Sequence, residues 1–147
     1  PSHFLTQLQT DSGVLFIDPF RRGHIMDETE CVTWLQQLTE LPGAELRPLL
    51  KPTSDRKIII RMLHNLKALF GGREAWRSAW QVQKRLALLS PASYREKRDL
   101  AMLSLRAGRP GEAISQLESC MAVCAPEERP VLQQQLTAAH REAPLYN

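Results

Sequence analysis

Similar residues recur 34 positions apart in the second half of this 147-residue chain. Apolar residues recur there at helical spacing, and Gly or Pro residues interrupt them at regular intervals. Repeated units of this size stack side by side, because one helical hairpin cannot bury its apolar face alone. The matching pairs are Ala79 with Ala113, Leu66 with Leu100, and Leu69 with Leu103.

The same region predicts a series of helices separated by short turns. A 34-residue period with two helices per unit is the signature of tetratricopeptide repeats. We therefore expect two degenerate repeats and a last helix that caps the end, with a generic helical bundle as the alternative. The predicted helices cover residues 54–70, 74–89, 95–107, 111–124 and 127–139. The first is expected to turn inward Ile58, Ile59, Met62, Leu63, Leu66 and Leu69.

Residues 1–50 have a different pattern. Two short runs, 3–9 and 14–17, flank a turn sequence and predict a β-hairpin. Asp27, with Glu30 three residues later, fits a capping box and predicts the start of a helix. The sequence thus predicts an α+β chain that is mostly α, with one domain in residues 1–50 and a helical repeat domain in residues 51–147.

Charge is distributed unevenly along the chain. Residues 1–50 contain 3 basic and 7 acidic side chains, a net of −4, whereas residues 51–147 contain 16 and 9, a net of +7. The basic part could attract an acidic partner or pack on the acidic part, although a solvated helical surface has the same composition. Nucleic acid is a weaker candidate, because no dense Lys/Arg run or nucleic-acid motif is present.

Other partners and localisation follow from what the sequence lacks. No stretch of about eighteen apolar residues occurs, so we expect no membrane partner and a cytoplasmic protein. Cys31, Cys120 and Cys124 form an odd number, which is unlike a disulfide scaffold. His140 is the nearest further ligand to the last two cysteines, at a spacing that fits no zinc pattern. We expect no metal and no cofactor, and the oligomeric state stays open.

His3 and Asp18 could carry chemistry, because they lie on the two predicted strands of the hairpin. A histidine oriented by a carboxylate acts as a general base toward a nucleophile. No cysteine precedes His3, and Cys31 follows on a helix where we expect it to be out of reach. The alternative is a structural His–Asp pair.

Several ordered motifs have a familiar arrangement: PSHFL at 1–5, FIDPF at 16–20 and RMLHNLK at 61–67. Together they resemble the bacterial transglutaminase-like plus tetratricopeptide family, of the SirB invasion-regulator type. The resemblance implies that residues 1–50 are the C-terminal part of a papain-like domain. It also implies that His3 and Asp18 are the second and third members of a triad whose Cys lies upstream of Pro1. Members of this family often lack triad residues, so their presence does not establish catalysis.

The first helix of each repeat is expected to line a groove. Guanidinium groups there could pair with the carboxylates of an extended acidic peptide. We therefore expect a non-catalytic interaction or regulatory module that binds an acidic peptide or partner domain. The alternative is a thiol enzyme, transglutaminase-like or protease-like, with a nucleophile outside this sequence. The expected groove residues are Arg61, His64, Asn65, Arg95, Arg98, Met102 and Arg106.

Overall fold

The computed structural model describes residues 4–143 of the chain. The chain divides into a first compact unit that ends at Thr53 and a second unit that begins at Ser54. The first unit combines a small sheet with short helices, and the second is helical throughout its described part. The predicted fold class, α+β and mostly α, is therefore confirmed.

A three-stranded antiparallel sheet forms the start of the first unit within the described residues. Strand β1 (Thr6–Thr10) pairs with β2 (Gly13–Asp18), which pairs in turn with β3 (His24–Met26). The predicted hairpin is confirmed, and its turn contains Gly13 at a φ of 132°, a value that favours glycine. Strand β3 was not predicted, because three residues are too few to show an alternating pattern.

Helix α1 (Glu28–Thr39) packs on this sheet. The predicted capping box is confirmed: the Asp27 side chain accepts from the Glu30 N–H, and the Glu30 side chain accepts from the Asp27 N–H. A short helix α2 (Gly43–Leu46) and a 3-10 turn follow. The buried residues that join sheet and helix are Phe16, Met26 and Cys31.

The second unit contains the predicted helices, each shifted by a few residues at its ends. Each helix packs against the next one along the chain. The main apolar cluster joins the last three helices and includes the fully buried Leu117. The helices are α3 (Asp55–Gly72), α4 (Trp76–Leu89), α5 (Tyr94–Arg106), α6 (Pro110–Met121) and α7 (Arg129–Glu142).

The predicted inward face of α3 was wrong for most of its residues. No described side chain of α3 is fully buried, and the exposed fractions of four of the predicted residues lie between 40% and 53%. The helix is apolar around more than one side, so periodicity alone could not identify the packed face. Within the second unit, α3 packs extensively on α4, the next helix along the chain. The exposed residues are Ile59, Met62, Leu66 and Leu69.

Small and polar residues complete the helix interfaces. Ala79 and Ala113, the pair that defined the period, are both fully buried, which lets neighbouring helices approach closely. The Trp80 indole N–H donates to Ser104 Oγ at 3.1 Å, and that hydroxyl donates to Gln116 at 2.8 Å. This chain of hydrogen bonds links α4, α5 and α6 through groups that would otherwise be buried without partners.

Candidate functional site

A cavity of about 270 Å³ lies among α3, α4, α5 and α7. We call it the repeat groove, because it joins the first helices of successive repeats. Met102 and Arg106 are the predicted binding residues that line it, whereas its other lining residues were not predicted. The complete lining is Lys67, Gly71, Ala79, Asp99, Met102, Leu103, Arg106 and Gln135.

One face of α5 presents Arg95, Asp99, Met102 and Arg106, which are spaced as residues on one side of a helix. Arg95 and Arg106 are exposed, and neither forms an ion pair with any residue in the part of the chain that the structure describes. The Arg106 guanidinium lies 4.6 Å from the centroid of the Trp76 ring. This cation–π contact holds the guanidinium against α4 while leaving its charge uncompensated by a carboxylate.

An ion pair closes the wall of the groove between α3 and α5. Lys67 Nζ lies 2.9 Å from Asp99 Oδ2, and Arg98 donates to the other carboxylate oxygen at 3.2 Å. Burial alone would raise the pKa of Asp99, but the hydrogen bonds and charges of Lys67 and Arg98 lower it below its usual value. Asp99 is therefore a charged, fully paired group at neutral pH.

Arg98 is held by the last helix. Its guanidinium donates to Glu128 at 2.6 Å, and the Tyr94 hydroxyl donates to the second oxygen of the same carboxylate, also at 2.6 Å. These hydrogen bonds lower the pKa of Glu128, while burial and the neighbouring carboxylate raise the pKa of Tyr94. Glu128 directly precedes α7, so Arg98 fastens α7 to α5. Arg98 also pairs locally with Asp99, so its guanidinium contacts two carboxylates.

The α3 residues predicted for the groove lie apart from the cavity lining. His64 Nε2 is 3.5 Å from the carboxylate of Glu96, which is only 6% exposed. Asn65 is exposed and Arg61 is half-buried. His64 thus contributes to the contact between α3 and α5.

In the first unit, the Asp18 carboxylate is fully buried at the end of β2. Its Oδ1 accepts from the Phe20 N–H at 2.9 Å and caps a 3-10 turn. Its Oδ2 has no hydrogen-bond partner among residues 4–143. His3 lies outside the described residues, so the His3–Asp18 pair stays a prediction.

Cys31 is the cysteine nearest to this carboxylate in the chain. It is fully buried, and burial, together with the charges of Asp18 and Glu28, raises its pKa to about 11. A thiol with such a pKa is protonated at neutral pH and is a poor nucleophile. Cys31 therefore behaves as a small core residue.

Residues 4–143 contain no group of three or more His, Cys, Asp or Glu side chains that could hold a metal ion. None of the helices in this described part combines the length and the apolar character needed to cross a membrane.

Comparison with known proteins divides the chain in the same order. The tetratricopeptide repeat model matches residues 66–140, and the transglutaminase-like superfamily model matches residues 1–64. Two relatives, each named UPF0162 protein, come from Xylella fastidiosa. The protein of strain Temecula1 is 29% identical over 80% of this chain and 43% of its own length. The protein of strain 9a5c is 31% identical over 74% of this chain and 40% of its own length.

The chain thus spans about two fifths of the length of the curated relatives it matches. No solved structure gives a significant match.

Proposed function

Because this chain belongs to the tetratricopeptide repeat family, we propose that its helical unit is a protein-interaction module that binds an acidic segment of a partner in the repeat groove. Grooves of stacked helical repeats form extended binding surfaces. The observation that carries the proposal is the position of Arg106 at the rim of the groove, with no carboxylate partner among the described residues. The net charge of +7 in residues 51–147 supports the same partner chemistry.

The predicted binding residues divide into two roles in this proposal. Arg95, Met102 and Arg106 contact the ligand from one face of α5, and Arg61 and Asn65 extend the surface onto α3. Arg98 and His64 hold the groove together through Glu128, Asp99 and Glu96 rather than contacting the ligand. We also propose that the transglutaminase-like and tetratricopeptide regions are arranged as in the SirB type. The proposed role is regulatory and cytoplasmic.

Charge reversal at the rim tests this function. The probe is a fluorescein-labelled nine-residue peptide of alternating Glu and Gly, titrated with the full chain at low and physiological salt. Arg106→Glu is expected to weaken binding at least tenfold, because a hydrogen bond to a charged group contributes about 1.5–3 kcal/mol. Binding to the unaltered chain should weaken as salt rises.

Arg77→Glu is the matched control, since Arg77 is exposed on α4, does not line the groove and changes the net charge equally. Equal loss in both variants, or no loss in Arg106→Glu, would contradict the assignment of the groove.

A second candidate function rests on the buried Asp18, whose Oδ2 has no hydrogen-bond partner among residues 4–143. Residues 1–64 match the transglutaminase-like superfamily, and an orphaned carboxylate oxygen is a suitable acceptor for an imidazole N–H. In this candidate, Asp18 orients His3 as the base of a thiol enzyme. The high pKa of Cys31 means that a cysteine outside this sequence supplies the nucleophile.

Thiol alkylation against pH tests this candidate in the full-length natural protein. We expect one cysteine with an apparent pKa well below the ordinary value of about 8.5. Asp18→Asn should raise that pKa. If every thiol has an ordinary or raised pKa, the enzyme candidate is rejected.

A further inference from the structure

We propose that the repeat groove accepts one large apolar side chain of its partner segment, and that Arg106 binds a carboxylate two positions away in the same segment. This inference rests on the proposed function and specifies its ligand. It assigns the apolar contact to the cavity beside Gly71 and Met102, and the polar contact to the rim.

The size and lining of the cavity favour a single side chain. Its volume of about 270 Å³ lies just below the roughly 300–1,000 Å³ of pockets that enclose small molecules. Met102 and Leu103 supply apolar surface from α5, and the fully buried Ala79 of α4 lies beneath it. Methionine adapts its shape to different apolar groups, which suits a pocket for Leu, Met or Phe.

The charged groups around the cavity differ in whether they already have a partner of opposite charge. Lys67 and Asp99 neutralise each other at 2.9 Å, so this wall does not favour a charged ligand. Among residues 4–143, Arg106 contacts the Trp76 ring and has no carboxylate partner, so the ring positions the guanidinium without satisfying its charge. A carboxylate is therefore favoured at Arg106, while Gln135 offers an amide to the backbone of the bound segment.

The spacing of the ligand groups follows from the spacing on α5. Met102 and Arg106 are four residues apart on one helix face, which corresponds to a rise of about 6 Å. In an extended segment, residues i and i+2 point to the same side and lie about 6.6 Å apart. An apolar residue and an acidic residue separated by one position therefore have nearly the same separation as Met102 and Arg106 along α5, and this is the separation that we propose for the bound segment.

Gly71 and Gly72 provide a matched pair of variants. A Cβ added at either residue meets no atom within 4 Å, so neither substitution creates a clash at that position. Both lie in the last turn of α3, but only Gly71 lines the cavity. A leucine at 71 would extend into the space that we assign to the ligand, whereas a leucine at 72 would not.

The experiment uses the full chain and labelled nine-residue peptides of Gly and Ser that contain one Leu and one Glu. The separation between Leu and Glu is varied from one to five positions, in both orders. We expect the tightest binding at a separation of two. Replacing the peptide Leu by Gly, or introducing Gly71→Leu, should weaken binding about tenfold or more, because burial of the leucine is lost. Gly72→Leu should stay within twofold of the unaltered chain.

The outcomes separate this inference from the proposed function. Equal thermal unfolding midpoints of Gly71→Leu and Gly72→Leu confirm that both variants are folded. If the Glu/Gly peptide binds through Arg106 but neither the peptide Leu nor Gly71→Leu affects affinity, the apolar pocket is overturned and the acidic groove stands. If affinity is independent of the Leu–Glu separation, the assigned spacing is overturned. If neither peptide type binds, both proposals fail.

Discussion

Gln83 and Leu117 occupy equivalent positions, 34 residues apart, in the second helices of the two repeats, and both are fully buried. Leu117 lies in the apolar cluster of α5, α6 and α7. Gln83 instead donates to the backbone carbonyl of Glu96 at 2.9 Å and to its carboxylate at 2.7 Å. The same position can therefore hold an apolar or a polar side chain. The amide nitrogen of Gln83 is paired, while its Oε1 has no hydrogen-bond partner among residues 4–143.

The first helices of the two repeats differ even more. Helix α3 has no fully buried residue, whereas α5 buries Glu96, Ala101, Ser104 and Leu105. Helix α5 packs extensively on both α4 and α6, whereas the extensive interface of α3 within the described part of the second unit is with α4. Position in the series, rather than the repeat pattern itself, thus determines how much of a helix is buried.

The largest expected effect concerns Leu117, the apolar residue that is equivalent to Gln83. Leu117→Ala should lower the free energy of unfolding by about 2–5 kcal/mol, because it removes buried methyl groups and leaves a cavity. Urea denaturation monitored by circular dichroism measures the change. A loss below about 1 kcal/mol would show that the cluster around Leu117 is loosely packed.

The next largest effect tests whether the buried Gln83 and its hydrogen-bond partner Glu96 are energetically coupled. Gln83→Leu removes the donor that satisfies the nearly buried Glu96 carboxylate and should cost about 1–3 kcal/mol. Gln83→Leu combined with Glu96→Leu should cost less than the sum of the two single variants, since no charged group is then left unpaired. Additive losses in this double-mutant cycle would contradict the coupling.

A smaller effect comes from the ion pair between the repeats. The folded chain lowers the pKa of Asp99, so the contribution of this residue to stability is fully present above its unfolded pKa of about 3.9. It is lost as pH falls below that value and through the lower folded pKa. Partly exposed pairs contribute about 0.2–1 kcal/mol. Asp99→Asn should therefore lower stability at pH 7 by this amount and flatten the acid side of the stability profile, measured by urea unfolding between pH 7 and 2.

The smallest effect is expected on the exposed face of α3. Met62 is 53% exposed, so Met62→Ser should change the free energy of unfolding by no more than about 0.5 kcal/mol. A matched thermal unfolding experiment with Leu117→Ala provides the scale. A loss of 2 kcal/mol for Met62→Ser would indicate that this face is covered in solution.

Local patterns in the sequence predicted the secondary structure well. Apolar residues at helical spacing and the Gly and Pro interruptions located the helices of the second unit, and Asp27 with Glu30 located the start of α1, because these signals involve neighbouring residues. The packed face of α3 could not be predicted, since burial depends on which neighbours a helix has. Strand β3 was missed for a different reason, because its three residues are too few to show an alternating pattern.

The site was predicted less completely, because its contacts join distant residues. Aligning the repeats placed Met102, Arg106 and Arg98 in the predicted binding set, and their contact with a ligand stays a prediction. Met102 and Arg106 line the cavity. The Glu128 partner of Arg98 is 30 residues away, and no local pattern signals that pair. Arg98→Glu would place a carboxylate against Glu128 and Asp99, so Arg106→Glu is the cleaner test of binding.

The order in which the helices pack also has a kinetic consequence. The most extensive interfaces of the second unit join helices that are adjacent in sequence, so most of its contacts can form without closing long loops. Opening of such a series begins where a helix has fewest neighbours. Amide hydrogens of α3 should therefore exchange with solvent at a lower opening free energy than those of α5 and α6. The wall that α3 gives the groove through Lys67 and Gly71 would then open and close repeatedly while the other helices stay folded.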